Sequence, residues 1–124
     1  MIGNLQCTVL DCSDALALAR FYQSLLGGEV NRRDPRWMLS DTWATLHTDA
    51  GTVLAFQGVA DYRPPNWPDP AHPQQFHLDI GVDDLDRAQA QVLHLGATLL
   101  DSSQGWHIYA DPAGHPFCLV RESG

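Results

Sequence analysis

Lysine is absent from this 124-residue chain. All seven basic side chains are arginine, and 15 acidic residues against them give a net charge of −8. The missing lysine excludes Schiff-base catalysis and a pyridoxal-phosphate lysine. The missing basic footprint argues against nucleic acid as a partner. An anionic membrane surface is disfavoured for the same reason. Long apolar runs are also lacking, so no segment reads as a membrane span. The opening stretch MIGNLQCTVLDCSD has neither a basic region nor a continuous apolar core, which argues against a signal peptide. Cysteine is scarce: Cys7, Cys12 and Cys118 are the three in the chain. An odd count without an export signal predicts reduced thiols and a cytoplasmic location. Cys7 and Cys12 fall five apart in one predicted strand and so point to opposite faces, which argues against a local disulfide.

What is present is ordinary globular material, with 44% apolar residues. The length suits one domain, 1–124. The first strand is predicted from Leu5 to Cys12. Asp14 follows as a helix N-cap, then Leu18, Phe21, Tyr22 and Leu25 recur at helical spacing. Gly27 and Gly28 end that helix. Strands are expected around Val30, at Trp43–Leu46 and at Thr52–Gln57, with a turn at Asp49–Gly51. The stretch from Gly58 to Gln75 holds five of the eight prolines. Proline at that density prevents a helix and spoils a sheet interior, so 59–75 reads as a linker or lid.

The pattern then restarts. Phe76–Val82 reads as a strand and Asp84 as an N-cap. Leu85, Ala88, Val92 and Leu95 form a helical stripe ended by Gly96. Strands follow near Thr98–Leu100, Trp106–Ala110 and Pro116–Arg121. CTVLDCSD (Cys7–Asp14) aligns with HLDIGVDD (His77–Asp84), and GTVLAFQ with GHPFCLV. Each half is strand, helix, then three strands, so the chain is an internal repeat of a βαβββ unit: module one 1–58, module two 76–124. In the fifth strand, Leu78, Ile80 and Val82 share the helix face, leaving His77 and Asp79 on the other. Cys7 and Val9 face with them in the first strand.

Three segments carry a resemblance to a known family: TVLDCSDALALARFYQSLLGGEV, GVDDLDRAQAQVLHLGA and DPAGHPFCLV. Together they span essentially the whole chain. It resembles the glyoxalase/bleomycin-resistance/extradiol-dioxygenase superfamily, the vicinal oxygen chelate fold. YRPPNWPDP, QQFHLDI and GHPFCLV look most similar to a bacterial glyoxalase-like branch. The resemblance implies an α+β fold in which two βαβββ modules form a curved eight-stranded open barrel, a cleft with helices outside. It also implies that the family's metal-ligand positions fall on Cys7, Ala55, His77 and Cys118, and that the protein is a homodimer.

That ligand set reads one His, two Cys and an Ala. Iron, manganese or nickel centres want His and carboxylate around open positions, so the usual metal chemistry reads as broken. A zinc site of Cys7, His77 and Cys118, with Gln57 or Asp79 as fourth ligand, is the metal alternative. Against it stands the reading of both cysteines as small apolar fillers. His77 is the candidate catalytic base, oriented by Asp79, although residues two apart on a strand need not touch. Cys118 or Cys7 as a thiol nucleophile activated by His77 is a weaker candidate. Trp37, Tyr62, Trp67 and Trp106 are candidates for the wall or lid of a pocket, whereas Trp43 and Phe117 read as core or dimer interface. One of Trp106 and His107 is expected to face the cleft. His94 reads as solvent-facing and His115 as a turn residue.

The reading that fits best is a metal-independent small-molecule binder holding a planar or aromatic ligand in the cleft, of the resistance or sequestration type. Its predicted ligand contacts are Cys7, Trp37, Ala55, Gln57, Tyr62, Trp67, His77, Asp79, Trp106 and Cys118. The alternative is an enzyme, a lyase, isomerase or dioxygenase relative acting through His77 with or without a divalent metal. A third reading is a regulatory or structural module with an empty cleft.

Overall fold

The computed structural model describes residues 3–35, 40–71, 77–103 and 107–122. The chain divides into two compact units, Met1–Tyr62 and Arg63–Gly124. Each contains one helix and one four-stranded sheet.

The first unit runs β1 (Thr8–Cys12), α1 (Ala15–Leu26), β2 (Glu29–Val30), β3 (Trp43–His47) and β4 (Val53–Gly58). Its strands lie in the order β1-β4-β3-β2, with β1 parallel to β4 and the other pairs antiparallel. Asp14 caps α1 as expected, its carboxylate accepting from the Ala17 amide at 3.1 Å. Gly27 closes the helix, its amide donating to the Gln23 carbonyl. Gly28 then turns the chain with φ +96, where a Cβ would collide with the His47 carbonyl. The helix packs Leu18, Ala19, Phe21 and Tyr22 onto the sheet, and the Tyr22 ring stacks on Phe56 of β4 at 5.7 Å.

β1 is shorter than the sequence predicts. Pairing with β4 begins at Thr8, opposite Leu54, and Leu5 is 89% exposed. A strand needs a bonded neighbour, and β4 itself begins only at Val53.

The second unit repeats the plan: β5 (Leu78–Val82), α2 (Leu85–His94), β6 (Thr98–Asp101), β7 (His107–Ala110) and β8 (Pro116–Arg121), in the order β5-β8-β7-β6. Asp84 caps α2 through the Arg87 amide. Ala88 and Val92 are the buried helix residues, and Tyr109 stacks on Phe117 at 5.4 Å beneath them. Phe117 is fully buried core, as read from sequence. Leu95 does not complete the stripe: it is the C-cap residue and 37% exposed. The helix ends at His94, the residue before it, and the Leu95 side chain lies partly outside the packed face.

The described part of the proline-rich segment, 59–71, contains neither helix nor strand. From Arg63 onward it belongs to the second unit. Gly114 explains how it is held there. At φ +92, a Cβ on Gly114 would sit 2.7 Å from Cβ of Pro64, so only glycine allows the prolines to lie against the β7–β8 turn.

Candidate ligand pocket on the second unit

Alternation along β8 sends Phe117 and Leu119 to the helix side and Pro116, Cys118 and Val120 to the opposite face. That face lines a pocket of about 410 Å³ together with Trp67, His77, Asp79 and Ile108. The size is that of a small-molecule site. The turn before β8 is fixed by Asp111, a buried carboxylate that accepts from the amides of Ala113 at 2.8 Å and His115 at 3.0 Å. His115 is therefore a turn residue, as expected.

Sheet register builds the polar part of the pocket. Asp79 of β5 lies opposite Cys118 of β8, and Cys118 lies opposite Ile108 of β7. The three form one row across the sheet, with strands about 4.8 Å apart. His77 stands two residues before Asp79, on the same side. Its Nε2 is 3.3 Å from Oδ1 of Asp79. Contact between them was not assured by strand geometry; here the two side chains lean together. The donor atoms of His77, Asp79 and Cys118 all lie within 4.8 Å of one another.

Burial, followed by the neighbouring Asp79 charge and a hydrogen bond from the thiol to that carboxylate, pushes the Cys118 thiol up to about 11. At neutral pH it is an S–H donor and a poor nucleophile.

The structure thus gathers four sequence-predicted site residues, Trp67, His77, Asp79 and Cys118, around one pocket. Cys7, Ala55, Gln57 and Tyr62 belong to the first unit. There Ala55 is fully buried opposite Val9 and Thr45, while Gln57 is exposed. Cys7 is half-buried just before β1, and Tyr62 half-buried at the end of that unit. Trp37 and Trp106 lie outside the described residues. None of the three cysteines forms a disulfide.

Of Trp106 and His107, one of which is expected to face the cleft, His107 does not line this pocket, and Trp106 lies outside the described residues. His107 lies on the helix side, its Nδ1 3.1 Å from the Tyr109 hydroxyl, which donates to Oε1 of Gln89 at 2.9 Å. Burial, and secondarily Asp86, push that phenol up to about 12. The residue of β7 that reaches the pocket is Ile108. Trp43 is half-buried, and its indole Nε1 has no hydrogen-bond partner among the described residues.

Sequence reasoning passed over Ile108, Pro116 and Val120. The signal was there in the two-residue spacing Pro116, Cys118, Val120, but no chemistry marked these apolar side chains.

The superfamily's metal can be tested on these residues. The two modules correspond in register: Val9–Ala55–Thr45 in the first occupies the row that Asp79–Cys118–Ile108 occupies in the second. The first row brings no ionisable ligand, and Ala55 has no donor atom. The four transferred positions therefore do not make a hard-ligand site. His77, Asp79 and Cys118 are the described group with the spacing to hold an ion, and that mixed N, O, S set suits zinc better than iron or manganese.

Two βαβββ modules, each a four-stranded mixed sheet carrying one helix, define the glyoxalase/bleomycin-resistance/dioxygenase class of fold. The family profile described as a glyoxalase-like domain matches residues 7–120, and the chain belongs to that family. Among solved structures, a glyoxalase/bleomycin resistance protein/dioxygenase family enzyme from Burkholderia phytofirmans PsJN is 19% identical with a TM-score of 0.66, covering 96% of this chain and 98% of its own. The fosfomycin resistance protein FosX from Mesorhizobium loti is 16% identical with a TM-score of 0.66, covering 99% and 94%. The oxidase ChaP-H2 is 19% identical with a TM-score of 0.64, covering 99% and 96%. At such identities these likenesses show the fold alone. No curated protein matches the chain. Among the described residues no helix is long and apolar enough to cross a membrane.

Proposed function

We propose that this protein binds a small planar molecule in the pocket of its second unit, without a metal, and acts by sequestration rather than by chemistry. The supporting observation is the lining itself. One indole, Trp67, and three apolar side chains, Ile108, Pro116 and Val120, share a pocket with a single polar corner made by His77, Asp79 and Cys118. Apolar walls with few convergent polar groups bind flat ligands by area and orient them by hydrogen bonds. FosX, a fosfomycin resistance protein, shows that the fold can serve resistance; for this chain a protective role is part of the proposal. A thermal-shift screen of planar aromatic compounds tests it. Binders raise the melting temperature by mass action, and the shift disappears in Trp67→Ala. A screen without any shift overturns the reading.

An enzymatic reading has one observation in its favour. With Nε2 of His77 directed at Asp79, the imidazole is oriented as a general base would be, leaving Nδ1 for a substrate proton. A zinc-type ion, if bound, would sit on His77, Asp79 and Cys118 and supply Lewis acidity. Metal analysis of freshly purified protein decides between the readings. Stoichiometric zinc that is lost in His77→Ala supports the enzyme; metal-free protein that still binds ligand supports sequestration.

A further inference from the structure

We infer that the pocket of the second unit selects cationic planar ligands, rings bearing a protonated amine or amidine, with Asp79 receiving the charge and Trp67 the ring. This deepens the ligand-binding reading and rests on it.

The lining carries one carboxylate, Asp79, with Nε2 of His77 3.3 Å from its Oδ1. Of the seven described lining residues, four are apolar, counting Trp67, and Cys118 is a neutral thiol. None is an arginine, and the chain has no lysine. An anionic ligand would therefore place its charge beside Asp79 with no arginine or lysine to meet it, an unfavourable like-charge approach. His77 and Cys118 together occupy part of the Asp79 carboxylate. An ionised carboxylate accepts at about four lone-pair sites, so acceptor capacity remains for a ligand N–H. The Asp79 side chain is 61% exposed, so an incoming cation reaches it without opening the protein. Trp67 adds to the same preference, because the face of an indole is the best aromatic partner for a cation. The net charge of −8 draws cations toward the whole surface and raises their encounter rate.

Three tricyclic probes of similar shape test the charge rule: proflavine, a cation; acridone, neutral; and anthracene-9-carboxylate, an anion. Binding to the full chain is measured by titration calorimetry in low salt. Proflavine is expected to bind at least about tenfold tighter than acridone, with anthracene-9-carboxylate weakest, the size of effect a desolvated cation contact supplies. In Asp79→Asn the advantage of proflavine over acridone collapses to within about twofold. Trp67→Ala weakens proflavine and acridone together. A second acidic surface beside α2, lined by Asp83, Asp84 and Asp86, could attract a cation on its own; a proflavine site there would be indifferent to Asp79→Asn and Trp67→Ala, which would overturn the assignment. Acridone or the anion binding as tightly as proflavine would also overturn the charge rule while leaving a ligand pocket in place. Failure of all three probes to bind counts instead against the ligand-binding reading beneath it.

Discussion

Nε2 of His77 approaches Oδ1 of Asp79 to 3.3 Å, although the two residues stand two apart along one edge of the chain. Side chains at that spacing leave the strand in parallel, roughly 7 Å apart at their roots. Cys118, the third member of the cluster, lies across the sheet from Asp79, and its thiol donates a hydrogen bond to the same carboxylate.

That arrangement sets a pH dependence. The thiol of Cys118 is raised from 9.0 to about 11 in the folded protein. The folded state therefore holds a proton that the unfolded state releases as pH rises. Stability contributed by this group is complete below about pH 9 and is lost as pH climbs toward 11. Urea denaturation from pH 8 to 11 should show the decline, and Cys118→Ala should flatten it between pH 8 and 10, above which Tyr109, raised from 10.0 to about 12, adds its own loss. At pH 8, half-buried Cys7 should react with a thiol reagent well before Cys118.

Trp67 is half-exposed and lies in irregular backbone. Its truncation to alanine is expected to change the melting temperature of the free protein by no more than a few degrees, because surface substitutions cost little. The same change should abolish the ligand-induced shift. Differential scanning fluorimetry with and without ligand separates the two effects.

Gly114→Ala tests what holds the proline-rich segment. The backbone at φ +92 and the 2.7 Å approach to Pro64 both resist a Cβ. A loss of about 1–3 kcal/mol is expected, and chemical denaturation measures it. Since Pro64 and Trp67 are three residues apart, ligand affinity should fall with it. Wild-type affinity in this variant would show that the contact does not position Trp67.

Thr45 is fully buried on β3, and its Oγ1 has no hydrogen-bond partner among the described residues. Thr45→Val keeps the shape and removes the hydroxyl. Stability should rise by about 1 kcal/mol, the order of the desolvation cost of an unmet polar group. A fall in stability would reveal a partner for the hydroxyl.

The two halves of the chain were legible because their signals are local. Asp14 and Asp84 announce helix starts by short polar side chains before apolar stripes, and Gly27 and Gly96 announce the ends. The alternation Leu78, Ile80, Val82 correctly turned His77 and Asp79 away from the helix. Leu5 and Leu95 were misjudged for a shared reason. Apolar residues at the right period still need a neighbour: β4 offers Leu5 no rung, and Leu95 only caps the helix after its last residue, His94.

The sequence by itself determined the βαβββ repeat, the caps, the charge of the chain and the chemistry held in reserve at His77, Asp79 and Cys118. Tertiary structure decided which of these meet. Parallel pairing of β5 with β8, some forty residues later, puts Asp79 beside Cys118, and a glycine at 114 lets Pro64 close in so that Trp67 joins the same pocket. Period and propensity act over a few residues; register across a sheet and the approach of one backbone to another do not, and the pocket is made of those.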